Sequence, residues 1–249
     1  MNEQARGIIL AAGRGSRMGG LTSDRPKCMT VLGGQTLLDR QLGALAAAGL
    51  KERAIVRGYL AETFDAPVTY FENPRWSGTN MVASLACAEA WLGAAPCVIS
   101  YSDIVYGPDS VRRLLAADGD IVITYDPHWR RLWELRFDDP LSDAETFRRD
   151  EDGRLLEIGA RAESLDQIEG QYMGLLRLRP TGWAQIRRLL ESLEPGGVDR
   201  LDMTSLLQML LDAGARIDTV AIDEPWYEVD SESDLRLYEQ KFFGGETRP

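Results

Sequence analysis

The chain has 249 residues, with 39 Asp and Glu against 28 Lys and Arg. Its net charge of −11 argues against a general nucleic-acid surface, because phosphate backbones are held by excess positive charge. The length fits one α/β domain with a sizeable core, taken here as residues 1–249, and no apolar stretch approaches a membrane span.

In chain order, an apolar run at 7–12 reads as a first strand. It starts so near the N-terminus that no signal peptide is expected, and Cys28, Cys87 and Cys97 are odd in number without metal-ligand spacing. Reduced thiols in the cytoplasm are the simpler expectation. After a loop containing Gly13, Gly15, Gly19 and Gly20, residues 36–48 carry Leu37, Leu38, Leu42 and Leu45 at helical spacing, with Gly49 as a stop. Strands are expected at 53–57 and 68–71, a helix at 80–92 and a buried strand at 97–101. A helix opened by Pro108 follows, and then a strand at 121–125. Strands alternating with helices predict a mostly parallel sheet covered on both faces, with ligands beyond the carboxyl ends of its strands. Residues 126–178 carry short polar strands and read as an antiparallel insert over the site. Ser231 and Asp234 form a capping box for a helix ending near Phe243.

Chemistry concentrates in residues 10–27, Leu-Ala-Ala-Gly-Arg-Gly-Ser-Arg-Met-Gly-Gly-Leu-Thr-Ser-Asp-Arg-Pro-Lys. Glycines without Cβ atoms let several backbone N–H groups approach one ligand, the usual way to hold a polyphosphate. Arg17, Arg25 and Lys27 place cations on the same segment, and Pro26 stiffens the chain before Lys27. The dinucleotide fingerprint needs a glycine where Met18 stands, and no Gly-Lys-Ser/Thr string of a P-loop occurs. What remains is Ala-Gly-x-Gly-x-Arg with Lys27 ten residues after Arg17. Here the sequence resembles the nucleotidyltransferase family, whose members build sugar nucleotides and CDP-alcohols. The resemblance implies a Rossmann-like α/β fold and a nucleotide site at Leu10, Ala11, Ala12, Gly13, Gly15, Arg17 and Lys27.

Asp103, in the Ser102-Asp103 turn after a buried strand, would make a good Mg²⁺ ligand, and it stands where the family keeps its metal-binding aspartate. Asp230 matches the family's late aspartate before a capped helix; a plain turn residue is the alternative, and Glu228 could substitute for it. Mn²⁺ shares the preference for oxygen ligands. The segment Asn73-Pro74, Asn80 and Ser84-Leu85 resembles the phosphocholine and phosphonate cytidylyltransferase branch. That gives Asn80, Ser84 and Ser102 a nucleotide-binding role, against simple helix capping by Asn80.

Segments 126–136, 143–145 and 169–174 also resemble the acceptor side of that branch. Trp129, Trp133, Tyr172 and Trp226 are candidates for an aromatic wall that could cage choline. The alternative is that the tryptophans form the insert's core. Arg130, Arg131 and Arg136 favour an anionic acceptor instead, and His128 reads as a loop or core residue rather than a base.

The resemblance implies transfer of CMP from CTP to a small phosphonate, carboxylated like phosphonoformate, or to a phosphate compound such as phosphocholine, with release of pyrophosphate. The arginines tilt the expectation towards the anionic phosphonate. Lys27 would act at the α-phosphorus and Arg17 on the β- and γ-phosphates. The alternatives are a hexose-1-phosphate nucleotidylyltransferase using UTP, dTTP or GTP, and a non-catalytic nucleotide-sensing module.

Overall fold

A computed structural model describes residues 4–243, so both ends of the expected span 1–249 lie outside the described residues. Seven strands make the central sheet: β1 (Arg6–Ala11), β2 (Arg53–Arg57), β3 (Thr69–Glu72), β4 (Cys97–Tyr101), β5 (Ile121–Asp126), β6 (Gln171–Leu178) and β7 (Asp218–Ala221). Their order is β7-β5-β6-β4-β1-β2-β3. β1 pairs parallel with β2 and β4, β2 with β3, and β5 with β7; β6 alone runs antiparallel, to β4 and β5. The sheet is mostly parallel, with helices on both faces, as expected.

Side chains alternate across β1. Ile9 and Ala11 enter a core with Leu38 and Leu45 of α1 (Leu37–Ala47) and Val111 and Leu114 of α3 (Pro108–Ala116). Ile8 and Leu10 enter the opposite core with Leu85 of α2 (Met81–Ala86), Trp183 of α5 (Pro180–Glu191) and Leu206 of α6 (Met203–Asp212). Burial of each large aliphatic chain contributes about 1.5–3 kcal/mol, enough to fix the sheet between its two helical layers. The Thr36 hydroxyl accepts from Asp39 N at 3.0 Å to start α1, and Gly49, at φ 96°, ends it in the left-handed region.

The stretch 126–178 is only partly an antiparallel cover. Its last strand, β6, lies inside the central sheet, with Leu176 opposite both Ile99 and Ile123. Leu175, Leu176 and Leu178 are fully buried, and only a central position covers such a run on both faces. The true cover is α4 (Arg130–Arg136) and a hairpin, Glu145–Arg149 against Leu155–Arg161. Among the described residues no helix is long and apolar enough to cross a membrane.

Candidate active site

The chain leaves β1 through Gly13 and reaches Gly15 at φ 70°, a left-handed conformation in which the Lys27 stem lies against the Gly15 backbone. A Cβ at Gly15 would stand 2.7 Å from Lys27 Cβ, so both backbone and space require glycine there. This contact pins a side chain that is only 7% exposed. Lys27 Nζ donates to Asp103 Oδ2 at 2.8 Å and to Asp230 Oδ1 at 2.7 Å. Arg17 pairs with the other oxygen of Asp230.

Two carboxylates distant in sequence meet because a short ladder joins the segments that carry them. Tyr227 and Glu228 pair antiparallel with Val105 and Ile104, and Val229 N donates to the Asp103 carbonyl at 2.9 Å. Burial alone would pull the Lys27 ammonium down; the charges of Asp103 and then Asp230 outweigh it and hold it above the ordinary lysine value. Lys27 is therefore a fixed cation. The neighbouring Cys28 thiol is pushed up to about 12 by burial and is no nucleophile.

A cleft of about 300 Å³ opens over this cluster. Leu10, Ala12, Gly13, Gly15, Arg17, Lys27, Asn80, Ser84, Ser102, Asp103 and Asp230 all line it, so the expected nucleotide and metal residues converge. Ala11 does not; strand alternation turns it into the core, where it is 2% exposed. Trp76, Thr79 and Met81 line the cleft and were not anticipated. Asn80 Oδ1 accepts from Met81 N at 2.8 Å, so it caps α2 and faces the cleft at once. Buried Asn73 donates to Thr79 Oγ1 at 2.8 Å and Ser84 Oγ at 3.0 Å, tying this wall together.

A second cavity of about 370 Å³ adjoins the first and shares Arg17, Asn80, Met81 and Asp230 with it. Its walls include Tyr101, Trp133, Tyr172, Asp143, Glu145, Asp202 and Glu228. Gly174, at φ 73°, leaves room for the Tyr101 ring, which meets Tyr172 edge-on with centroids 5.8 Å apart.

The expected acceptor set divides here. Trp133 and Tyr172 line the cavity, whereas Trp129 and Trp226 do not. Both are 4% exposed core residues, with indole N–H groups donating to the Ile168 carbonyl and Asp126 Oδ2. Inward packing of Trp129 and Trp133, four residues apart, turns Arg130 and Arg131 outward. Arg130 pairs with Glu134 on the surface, and Arg131 lines a separate outer depression with His128. Arg136 is buried, but its guanidinium is held by Glu228 Oε2 at 2.8 Å and Asp234 Oδ1 at 3.0 Å. None of the three arginines lines the second cavity, and the support they gave to a carboxylated acceptor falls away.

Residues 7–194 match the MobA-like NTP transferase domain. The chain belongs to this family. As a MobA-like NTP transferase it is 35% identical to the CTP:phosphoglutamine cytidylyltransferase of Campylobacter jejuni, over 94% of this chain and 99% of that one. Two solved structures share the fold. The CTP:phosphocholine cytidylyltransferase of Streptococcus pneumoniae superposes with TM-score 0.73 at 19% identity, covering 95% of this chain and 98% of that one. The inositol-1-phosphate CTP transferase of T. maritima gives 0.75 at 19% identity, covering 96% of each. The cytidylyltransferase resemblance read from the sequence stands, and the cleft of this MobA-like NTP transferase coincides with its glycine loop.

Proposed function

We propose that this chain is a CTP-dependent cytidylyltransferase that moves CMP onto a phosphate oxygen of a small phosphorylated acceptor. The observation that carries this reading is the Lys27–Asp103–Asp230 cluster, at the floor of the cleft and at the border with a second cavity. A nucleotide over the glycine loop and an acceptor in the second cavity would meet at that border. The relatives named above, which use CTP and phosphorylated compounds, support the same choice of substrates.

The acceptor phosphate is already ionised at neutral pH, so its oxygen needs no general base. A bond forms from that oxygen to the α-phosphorus while the bond from the α-phosphorus to the β-phosphate oxygen breaks, and pyrophosphate carries away the electron pair. Catalysis of this kind is alignment plus charge neutralisation. The loop from Gly13 to Arg17 presents backbone N–H groups and the Arg17 guanidinium to the β- and γ-phosphates. Lys27, fixed by Gly15, stabilises charge developing at the α-phosphorus.

Asp103 and Asp230 also fit a divalent cation. They are hard oxygen donors gathered around a single ammonium, and Asp103 Oδ1 is buried without a hydrogen-bond partner. Mg²⁺ or Mn²⁺ bound there supplies Lewis-acid neutralisation of the phosphates. Pyrophosphate release across CTP, UTP, dTTP and GTP, crossed with acceptor phosphates and hexose 1-phosphates, tests the reading. CTP with a non-sugar acceptor should dominate, a chelator should abolish release and Mg²⁺ should restore it. Preference for UTP, dTTP or GTP with a hexose 1-phosphate would refute it.

A further inference from the structure

Tyr59 reaches the glycine loop at both of its ends. Its backbone N donates to the Ala12 carbonyl at 2.9 Å, where the chain leaves β1. Its hydroxyl lies 3.0 Å from the Thr22 and Ser23 carbonyls, where the loop closes, and shares its one proton between them. Residues 13–21 in between include Gly13, Gly15, Gly19 and Gly20, and such a segment gives up much conformational freedom when it is ordered. Met18, fully buried, fixes its middle.

A route leads from the hydroxyl to the site. Thr22 is fully buried; its carbonyl accepts from Tyr59, and its own hydroxyl donates to the Gly15 carbonyl at 3.2 Å. Gly15 in turn lies against the Lys27 stem. The Met18 and Ser23 amides donate to the Gly15 and Gly20 carbonyls at 3.0 and 3.3 Å and complete the folded loop. Tyr59 itself lines neither cavity, so it reaches the site only through these residues.

The turn that carries Tyr59 is held in an unusual shape. Leu60, at φ 47°, is the one non-glycine with positive φ among the described residues. A leucine there is strained, and such strain persists only where the surroundings over-determine it. Gly58, on the other side, lets the turn press against the loop: a Cβ there would stand 2.8 Å from the Ala12 carbonyl oxygen and 2.6 Å from Trp76 Cβ. The Tyr59 ring meets Trp76, a cleft residue, edge-on with centroids 5.2 Å apart. Arg14 sits 5.7 Å from the Tyr59 ring centroid and does not line the cleft, whereas Arg17 does.

Resting on the reading of residues 13–17 as the triphosphate holder, we propose that Tyr59 is a positioning residue for CTP. Its hydroxyl, acting through Thr22 and Gly15, holds the glycine loop in its binding shape before the nucleotide arrives. A loop ordered in advance does not have to be ordered by the ligand, so the effect falls on CTP affinity and not on the acceptor.

Tyr59→Phe removes the hydroxyl and keeps the ring against Trp76 and Arg14. Two measurements need no acceptor: CTP affinity by titration calorimetry, and hydrogen exchange of the nucleotide-free protein over residues 15–23. CTP should bind about tenfold more weakly, the upper range for one hydrogen bond, and exchange over 15–23 should speed up several-fold. In the full reaction the KM for CTP should rise in step, with the acceptor KM within about twofold. Thr22→Val keeps the side-chain shape, loses the bond to Gly15 and should weaken CTP similarly. The double variant should lose little more than either single one, as members of one network do. Unchanged CTP affinity in folded Tyr59→Phe, even with a lower unfolding midpoint, would make the hydroxyl a tie of the fold alone and overturn the inference. Weaker binding with unaltered loop exchange, or additive losses in the double variant, would overturn it too. These outcomes leave cytidylyl transfer standing. A parent chain that binds no CTP would instead remove the reading on which the inference rests.

Discussion

Arg136 Nε lies 3.0 Å from Asp234 Oδ1, and the other oxygen of that carboxylate accepts from Asp230 N at 3.1 Å and Ser231 N at 2.9 Å. A cation on the covering helix thus secures the turn that presents Asp230 to the cleft. Its second arm holds Glu228, whose carboxyl is raised by burial despite Arg136, with Asp103 and Asp230 adding to the effect. Arg136 is therefore placed to position the Asp230 turn, and it lies outside the lining of the second cavity.

Arg136→Met should destabilise the chain by about 3 kcal/mol, because it strands buried Asp234 and half-buried Glu228 without their cation. Denaturant unfolding measures this directly. Turnover should fall with little change in the acceptor KM. A higher acceptor KM at unchanged stability would restore the original expectation of direct binding.

Arg130 and Arg131 give the complementary case. Both side chains leave the inward face of α4, so each alanine variant should stay within about 0.5 kcal/mol of the parent in stability. The KM for the acceptor should not move by more than about twofold. A large rise in either variant would mean that the outward face of α4 contacts substrate.

Much of this was legible in the sequence, and the reasons are local. Gly13, Gly15 and Lys27 announce themselves because loop chemistry depends on residues close together in the chain. Asp230 was findable because the Ser231–Asp234 capping box marks the start of α7 (Glu232–Tyr238), and a helix start fixes the preceding residue. Asn80 showed its cap and its cleft position together. The ion pairs of Arg136 could not be read locally, because nothing in its own segment reveals Asp234 and Glu228, which arrive from the far end of the chain. Glu145 lay in a noted segment, yet its burial beside Asp202 depends on the hairpin meeting α6. β6 was hidden for a related reason: its apolar run follows polar segments, and only pairing on both sides places it in the main sheet.

Lys27→Ala should lower kcat by on the order of 10²-fold or more with a smaller change in CTP affinity, since its charge acts chiefly on the transition state. Arg17→Ala should mainly raise the KM for CTP. Full turnover in the first variant, or an unaltered KM in the second, would exclude the corresponding role.

The thiols provide a check on Lys27's surroundings. Cys28 and Cys97 are buried, with pKa values pushed up to about 12, whereas Cys87 is only half-buried. Raised values mean that both thiols stay protonated at neutral and mildly alkaline pH. Native protein should therefore label with a thiol reagent at Cys87 or not at all, and Cys87→Ser should label only after unfolding. Rapid labelling of native Cys28 would show the floor of the cleft to be open.

The central claim is transfer of CMP to an acceptor phosphate, and ³¹P NMR of CTP, Mg²⁺ and the mixed acceptor phosphates observes it directly. Free pyrophosphate should appear together with two mutually coupled phosphorus signals of a new cytidine diphosphate ester, and both should be lost in Lys27→Ala. Conversion of CTP to CMP and pyrophosphate, or to CDP and phosphate, with every acceptor unchanged would contradict the account.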